Sequence, residues 1–208
     1  DLNKVFTEGI TSISAEDIKY TNRLGYKIKL LCIAKLVENK IDFRVHPALC
    51  LSDSITAGIG GALNAIFIEG DYSKKITFIG EGAGAEPTAS SVVSDIINAA
   101  RNHKYINNLN LLNRKYEYIN MMSRKGKYYL RFIVKDVAGV LASITSVLNE
   151  NNISLDSVIQ DGNKGEESQF IIILTHVSNE LDIINALNKI DNLDTIMDKS
   201  YLIRVENI

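Results

Sequence analysis

The apolar positions of this chain change period several times, and each change marks an element. Ile28, Leu30 and Cys32 fall on one side of residues 27–37, a strand-like stretch. Ile41, Phe43 and Val45 then alternate with Asp42, Arg44 and His46, which predicts a second strand over 41–51 with a polar side. Residues 63–70 and 75–79 flank Asp71-Tyr72-Ser73-Lys74 and predict a hairpin. The spacing next shifts to three and four. Ala89, Val92, Val93, Ile96, Ile97 and Ala100 define the inner face of a helix. A shorter helix precedes the strands, with Ser14 as its cap, Asp17 at the third helical position and Gly25 as its stop. Ile18 and Leu24 supply part of its inward face. Strands with helices only at the ends predict an open sheet covered on one face, an α+β layer.

The second half has its own pattern. Leu130, Phe132 and Val134 alternate with Arg131, Ile133 and Lys135 in a strand. Gly139 precedes a helix with Val140, Leu141, Ile144, Val147 and Leu148 inward. Residues 153–159 form a strand, and the unbroken apolar run Phe170 to Leu174 predicts a buried one over 169–175. Ser178 or Asn179 caps a second helix with Leu181, Ile184, Leu187 and Ile190 inward, and residues 196–205 close with a strand. The order βαββαβ is that of the ferredoxin-like split motif.

Between the halves the composition departs. Residues 104–127 carry Lys104, Arg114, Lys115, Arg124, Lys125 and Lys127 against Glu117 alone, together with many asparagines. Leu109, Leu112 and Tyr116 allow a short helix in what reads as a linker. A basic nucleic-acid arm is the alternative, disfavoured by the net charge of −2. The division is thus 1–103, a linker over 104–127, and 128–208.

Bulk numbers change this picture little. The chain has 208 residues, 46% hydrophobic and 23% charged, as in a globular protein of one or two domains. No apolar run approaches the ~20 residues of a membrane span, and the charge balance implies neither a nucleic-acid nor a membrane partner. No signal peptide is visible. Cys32 and Cys50 lack a CxxC or metal spacing and are expected as buried free thiols in a reducing cytoplasm. His46 has no second ligand-type residue at a binding spacing, so no metal site is expected. Lys29 is a candidate base, with a solvated strand lysine as the alternative.

Chemistry concentrates at two turns. The stretch Gly80-Glu81-Gly82-Ala83-Gly84-Ala85-Glu86-Pro87-Thr88 follows the strand at 75–79 and leads into the helix, which Pro87 or Thr88 opens. Glycines at every second position let a ligand approach the main chain, and a helix start there suits an anion or a cofactor edge. This is not the Gly-x-Gly-x-x-Gly dinucleotide fingerprint. The alternative is a tight turn with no ligand. At the second turn, amides after Gly139 can hold a carboxylate, or Gly139 simply makes a turn in a module used for dimerisation.

The wording of the first stretch, Gly-x-Gly-Ala-Gly-x-x-Pro-Thr-Ala-Ser followed by Val92-Val93-x-Asp95, resembles the C-terminal part of the homoserine dehydrogenase catalytic domain. Glu8-Gly9-Ile10, Asp17-Ile18, Leu24-Gly25-Tyr26-Lys27-Ile28-Lys29-Leu30-Leu31, Val45-His46-Pro47 and Asn64-Ala65 occur in that family's order. The resemblance implies reduction of aspartate semialdehyde to L-homoserine with NADP or NAD, on the way to threonine and methionine. It places Gly84 against the cofactor, with Gly82 and Thr88 as further candidates. It implies a general acid/base lysine in a Gly-x-Asp-x-x-x-Lys motif upstream of Asp1. Neither that motif nor a βαβαβ nucleotide-binding half occurs here, so the chain reads as the C-terminal part of a longer cytoplasmic enzyme, inactive alone.

Asp136-Val137-Ala138-Gly139-Val140-Leu141-Ala142-x-Ile144, with Asn152-Ile153-Ser154 after the helix, resembles an ACT domain, with Ala138 in place of the usual proline. Such domains pair side by side and bind an amino-acid effector at the first strand-to-helix turn. The resemblance implies an effector site at Asp136, Gly139, Val140 and Asn152, threonine as the first effector to test, and a homodimer or homotetramer. An ACT-like unit placed last points to the monofunctional enzyme rather than the aspartokinase-fused form. The competing reading is a non-catalytic amino-acid-binding and oligomerisation protein.

Overall fold

The computed structural model describes residues 2–101, 116–161 and 168–208. The chain divides into two compact units, Asp1–Ser52 with Tyr116–Ile208, and Asp53–Lys115. The first unit opens with β1 (Phe6–Thr7), α1 (Ala15–Arg23), β2 (Tyr26–Val37) and β3 (Lys40–Leu51). The second holds α2 (Ile55–Gly58), β4 (Leu63–Gly70), β5 (Lys74–Glu81) and α3 (Ala85–Arg101). The chain returns to the first with β6 (Glu117–Tyr118), β7 (Lys125–Gly126), β8 (Tyr128–Lys135), α4 (Val140–Glu150) and β9 (Leu155–Asp161). It ends with β10 (Ser168–Thr175), β11 (Ser178–Asn179), α5 (Glu180–Ile190) and β12 (Ile196–Val205).

In the first unit β12, β8, β10 and β9 lie side by side and antiparallel, the ferredoxin-like order. The sheet does not stop there. β12 pairs in parallel with β3 through Arg204↔Ala48 and Val205↔Leu49, and β3 carries β2 along its whole length. The two sequence regions therefore share one eight-stranded sheet.

Both faces of the sheet are covered at β8 and β10, which is why β10 is apolar at consecutive positions. Leu130, Phe132, Ile171 and Ile173 pack under Ile144 and Leu148 of α4 and Ile183 and Ile190 of α5. On the other face Tyr129, Ile172, Leu174 and Ile203 pack against Tyr20 of α1, Tyr26 and Leu49. In α5 the buried stripe is Ile183, Ala186, Leu187 and Ile190, whereas Leu181, expected inward, is exposed.

The start of α1 follows its sequence signal. Asp17 N–H donates to Ser14 Oγ at 3.2 Å and Ser14 N–H to Asp17 Oδ2 at 2.9 Å, a closed capping box. Gly25 stops the helix at φ +81°, open to glycine at little cost. Asp17 has a second role that its sequence gave no sign of. It is fully buried, it accepts from Tyr129 Oη at 2.9 Å, and its Oδ1 lies 2.9 Å from Arg131 Nε.

β3 reverses an expectation. Its polar side, Asp42, Arg44 and His46, is the buried one for Arg44 and His46, because that face meets the C-terminal Glu206. Glu206 accepts from Arg44 at 3.0 Å and from Arg124 at 2.9 Å, and Arg44 also pairs with Asp42. Burial alone would raise the Glu206 carboxyl, but Arg124 and Arg44 outweigh it and its pKa lies below the ordinary 4.5. Arg44 Nε–H donates to His46 Nε2 at 3.2 Å, so Nε2 is unprotonated and Nδ1–H donates to Pro47 O at 2.9 Å. Burial likewise keeps His46 neutral, with its pKa below 6.5. Nearby, Arg204 Nε donates to Glu180 at 2.9 Å and Nη1 to Glu8 at 2.6 Å.

The expected pair of buried thiols is corrected. Cys50 is buried, but Cys32 is exposed, because it lies farther along β2 than Tyr26 and Ile28, which pack in the core on the same side. The described part of the basic stretch, 116–127, is not a bare connection. β6 pairs with β3, β7 with β11, and Met121 is buried. The suggested short helix through Leu109 and Leu112 lies outside the described residues.

In the second unit β4 and β5 form the expected hairpin, paired from Leu63↔Glu81 to Gly70↔Lys74. The helix after it begins at Ala85, earlier than Pro87 or Thr88, so Pro87 sits inside the first turn, where a missing N–H costs nothing. Its expected inner face is not buried: Val92, Val93, Ile96 and Ile97 are all exposed, Ile96 at 62%.

Candidate functional site

The turn between β8 and α4 is shaped by one residue. Gly139 takes φ +90° and stands as the cap of α4 without a side-chain hydrogen bond. A Cβ built there would meet nothing within 4 Å, so the dihedral, not crowding, demands glycine. Ser143 N–H donates to Gly139 O at 2.9 Å as the helix begins. The amides of Val140, Leu141 and Ala142 thus precede the first intrahelical donor and face outward along the helix axis. They open into a depression of about 570 Å³ lined by residues 136–142 together with Thr145, Gln160 and Gln169.

Three of the four expected effector residues, Asp136, Gly139 and Val140, line this depression. Asn152 does not. It follows α4 at the opposite end, where it takes φ +57° and ends the helix, with Ile153 N–H donating to Leu148 O at 3.0 Å. That is the left-handed cap that asparagine tolerates better than most residues.

Two glutamines complete the depression that the turn motif alone did not reveal. Gln160 Nε2 donates to Gln169 Oε1 at 2.8 Å, and Gln169 is buried. A signal existed: Gln169 shares its side of β10 with Ile171 and Ile173, a polar residue on the apolar, helix-covered face. The arrangement offers amides for a carboxylate, Asp136 for an ammonium group, and an amide pair for a small polar side chain.

The glycine turn of the second unit has a different geometry. Of Gly80, Gly82 and Gly84, only Gly84 has positive φ, at +129°. A Cβ there would stand 3.3 Å from Pro87 Cδ. Gly82 needs its missing side chain for another reason, because a Cβ would overlap the Asn64 side-chain amide. Gly82 N–H donates to Ala62 O at 3.0 Å and ties the turn to the start of β4. Thr88 N–H is already engaged with Gly84 O at 3.2 Å. Of the three expected cofactor residues, Gly84 therefore presents its backbone at the helix start, Gly82 shapes the turn, and Thr88 has only its exposed side chain to offer. Among the described residues no group of histidine, cysteine and carboxylate side chains is arranged to hold a metal, and no helix is long and apolar enough to cross a membrane.

A sheet of ferredoxin-like order with an open strand-to-helix turn, and a second unit with a strand–glycine turn–helix, define an α+β protein of two compact units. Residues 1–97 match the homoserine dehydrogenase family and residues 128–194 the ACT domain family. The chain is 36% identical over 212 residues to a homoserine dehydrogenase of Helicobacter pylori, with 99% of this chain and 49% of the relative covered. It is 34% identical to that of Bacillus subtilis, covering 99% of this chain and 48% of the relative. The crystal structure of a homoserine dehydrogenase from Thiobacillus denitrificans superposes with a TM-score of 0.83 at 36% identity, over 100% of this chain and 48% of that one. The chain thus spans about half the length of the curated relatives it matches.

Proposed function

We propose that this chain forms the C-terminal portion of a homoserine dehydrogenase that reduces aspartate semialdehyde to L-homoserine, with an amino-acid effector site at the turn of residues 136–142. The observation that carries the reading is the strand–turn–helix at residues 80–88, in which Gly84 holds a left-handed conformation at the start of α3. A bound nicotinamide, as NADP or NAD, supplies the hydride in this chemistry. The residues present fit it: among the described residues a Cβ at Gly84 would meet the Pro87 ring and one at Gly80 would meet nothing within 4 Å. A flat ring can therefore approach main chain rather than side chains. Gly84 and Ala85 supply backbone polar groups and the positive end of a helix dipole, Gly82 keeps Asn64 against the turn, and Thr88 borders the site.

The chain is expected to show no turnover by itself with homoserine and NAD or NADP, since hydride transfer requires a cofactor and an acid/base group held together. The test of the site is Gly84→Val in the whole enzyme. A branched side chain at φ +129° is strained and fills the approach. The cofactor KM should rise, or kcat fall, by roughly tenfold or more, the scale of one displaced contact. Wild-type kinetics in a folded variant would reduce Gly84 to a turn residue.

The reading extends to assembly. The apolar residues exposed on β4, β5 and α3 form the kind of surface that another polypeptide covers. In this reading the cover is a second copy, giving a homodimer or a homotetramer built from dimers. At the 136–142 turn, threonine is the effector to titrate first, its carboxylate at the amides of Val140 and Leu141 and its ammonium at Asp136.

A further inference from the structure

We propose that Asp17 is a positioning residue that couples the 136–142 turn to residues 1–52. The regulatory sense of this coupling rests on the effector site proposed above, but its physical content does not need a ligand. β8 ends at Lys135, directly before the turn, and the same strand carries Tyr129 and Arg131. Tyr129 Oη donates to Asp17 Oδ1 at 2.9 Å, and Arg131 Nε stands 2.9 Å from that oxygen. The other oxygen, Oδ2, accepts from Ser14 N–H at 2.9 Å and closes the cap of α1. One buried carboxylate therefore holds the start of α1 with one oxygen and β8 with the other.

The energetics favour transmission over absorption. Parting a buried charge from its counter-charge, here Arg131, costs more than the coupling that ordinarily links two sites. A strand shifted by events at the turn would thus carry Asp17 with it rather than release it. α1 passes through Gly25 directly into β2, so such a shift reaches the segment that matches the homoserine dehydrogenase family. The β12 seam, where Arg204 meets Glu8 and Glu206 meets Arg44, fastens the same two regions and meets β8 through strand pairing, Arg204↔Tyr128, rather than through a charge carried on β8.

The experiment is a double-mutant cycle on the full chain, read by amide hydrogen exchange in residues 18–23 of α1. Gly139→Ala disturbs the turn through its φ of +90° without adding a clash. Asp17→Asn keeps the shape of the side chain and removes its charge. Tyr129→Phe, which deletes only the hydroxyl, stands in if Asp17→Asn does not fold. Gly139→Ala should lower α1 protection by about fivefold in the wild-type background, the low end of ordinary coupling, leave it unchanged in the Asp17→Asn background, and have a smaller effect than in wild type in Tyr129→Phe, which keeps the Arg131 contact. Glu206→Gln serves as the seam control, in which the Gly139→Ala effect on α1 should persist. Distant substitutions are otherwise additive. An equal change of α1 protection with and without Asp17, or no change in α1 at all, overturns the proposal. Loss of the Gly139→Ala effect in Glu206→Gln as well would overturn it too, by assigning the link to the sheet as a whole. Threonine titration tests the effector site separately, so failure of one is not failure of the other.

Discussion

In the unit built from residues 1–52 and 116–208, Tyr128, Phe132, Ile144, Ile171 and Ile173 are fully enclosed, while no residue of β4, β5 or α3 in the other unit is buried. The apolar spacing of α3 is as regular as that of α4. Both repeat at three and four residues, and both would be drawn with the same inner stripe. What separates them is the facing layer. α4 lies over a sheet with α5 as its neighbour, so Ile144 and Leu148 close against Ile171 and Ile183. Spacing states which residues share a face; it does not state whether anything within this chain covers that face.

The largest expected effect tests that difference directly. Phe132→Ala removes a ring from a closed core and should lower the unfolding free energy by about 3–5 kcal/mol. Ile96→Ala, on the exposed stripe of α3, should change it by about 0.5 kcal/mol or less in the isolated chain. Urea unfolding followed by circular dichroism measures both. Similar losses would mean that the α3 stripe is covered in solution. Repeating Ile96→Ala over a range of protein concentrations sharpens the point, since a stripe covered by a second copy makes the loss concentration-dependent.

Of similar size are the effects at the buried charges, which the first unit has and the hairpin–helix unit lacks among the described residues. Glu206→Gln leaves Arg44 and Arg124 facing a neutral group on the seam between β3 and the C-terminal residues. The loss should be about 3–5 kcal/mol, the scale for removing one partner of a buried pair. Glu69→Gln on β4, an exposed position, should stay within about 0.5 kcal/mol. A small effect for Glu206→Gln would show that water reaches the seam.

How much of this was legible follows the same division. The βαββαβ order, the buried run Phe170 to Leu174 and the capping box at Ser14 and Asp17 were readable, because each depends on local spacing. The sharing of one sheet between β3 and β12 was not, because two register pairs 156 residues apart in sequence, Arg204↔Ala48 and Val205↔Leu49, leave no local trace. For the same reason Arg44 and His46 read only as the polar side of a strand: their partner is Glu206, far along the chain. At the candidate effector site the turn residues Asp136, Gly139 and Val140 were marked by a motif. Gln160 and Gln169 were not, since their contribution depends on the pairing of β9 with β10. Asn152 was assigned by its type and position after the helix, where its left-handed backbone explains it better.

The smallest expected effect is a pH dependence confined to the unit with the buried charges. His46 is held neutral, with a folded pKa below the 6.5 of the exposed ring, because burial penalises the imidazolium. Below pH 6.5 the unfolded chain gains a proton that the folded chain refuses, so the unfolded state binds more protons and stability falls as pH falls. Glu206 acts in the same direction at lower pH. Its folded pKa lies below 4.5, so its stabilisation is present above that value and is lost as the pH drops through the folded pKa. Acidification should therefore weaken the unit in two stages, each with a slope of at most about 1.4 kcal/mol per pH unit. Urea midpoints between pH 8 and 4 measure the profile. His46→Gln, which can still accept from Arg44 and donate to Pro47, should flatten the first stage and leave the second. A first stage of unchanged slope in His46→Gln would place that titration on another group and remove His46 from the acid response.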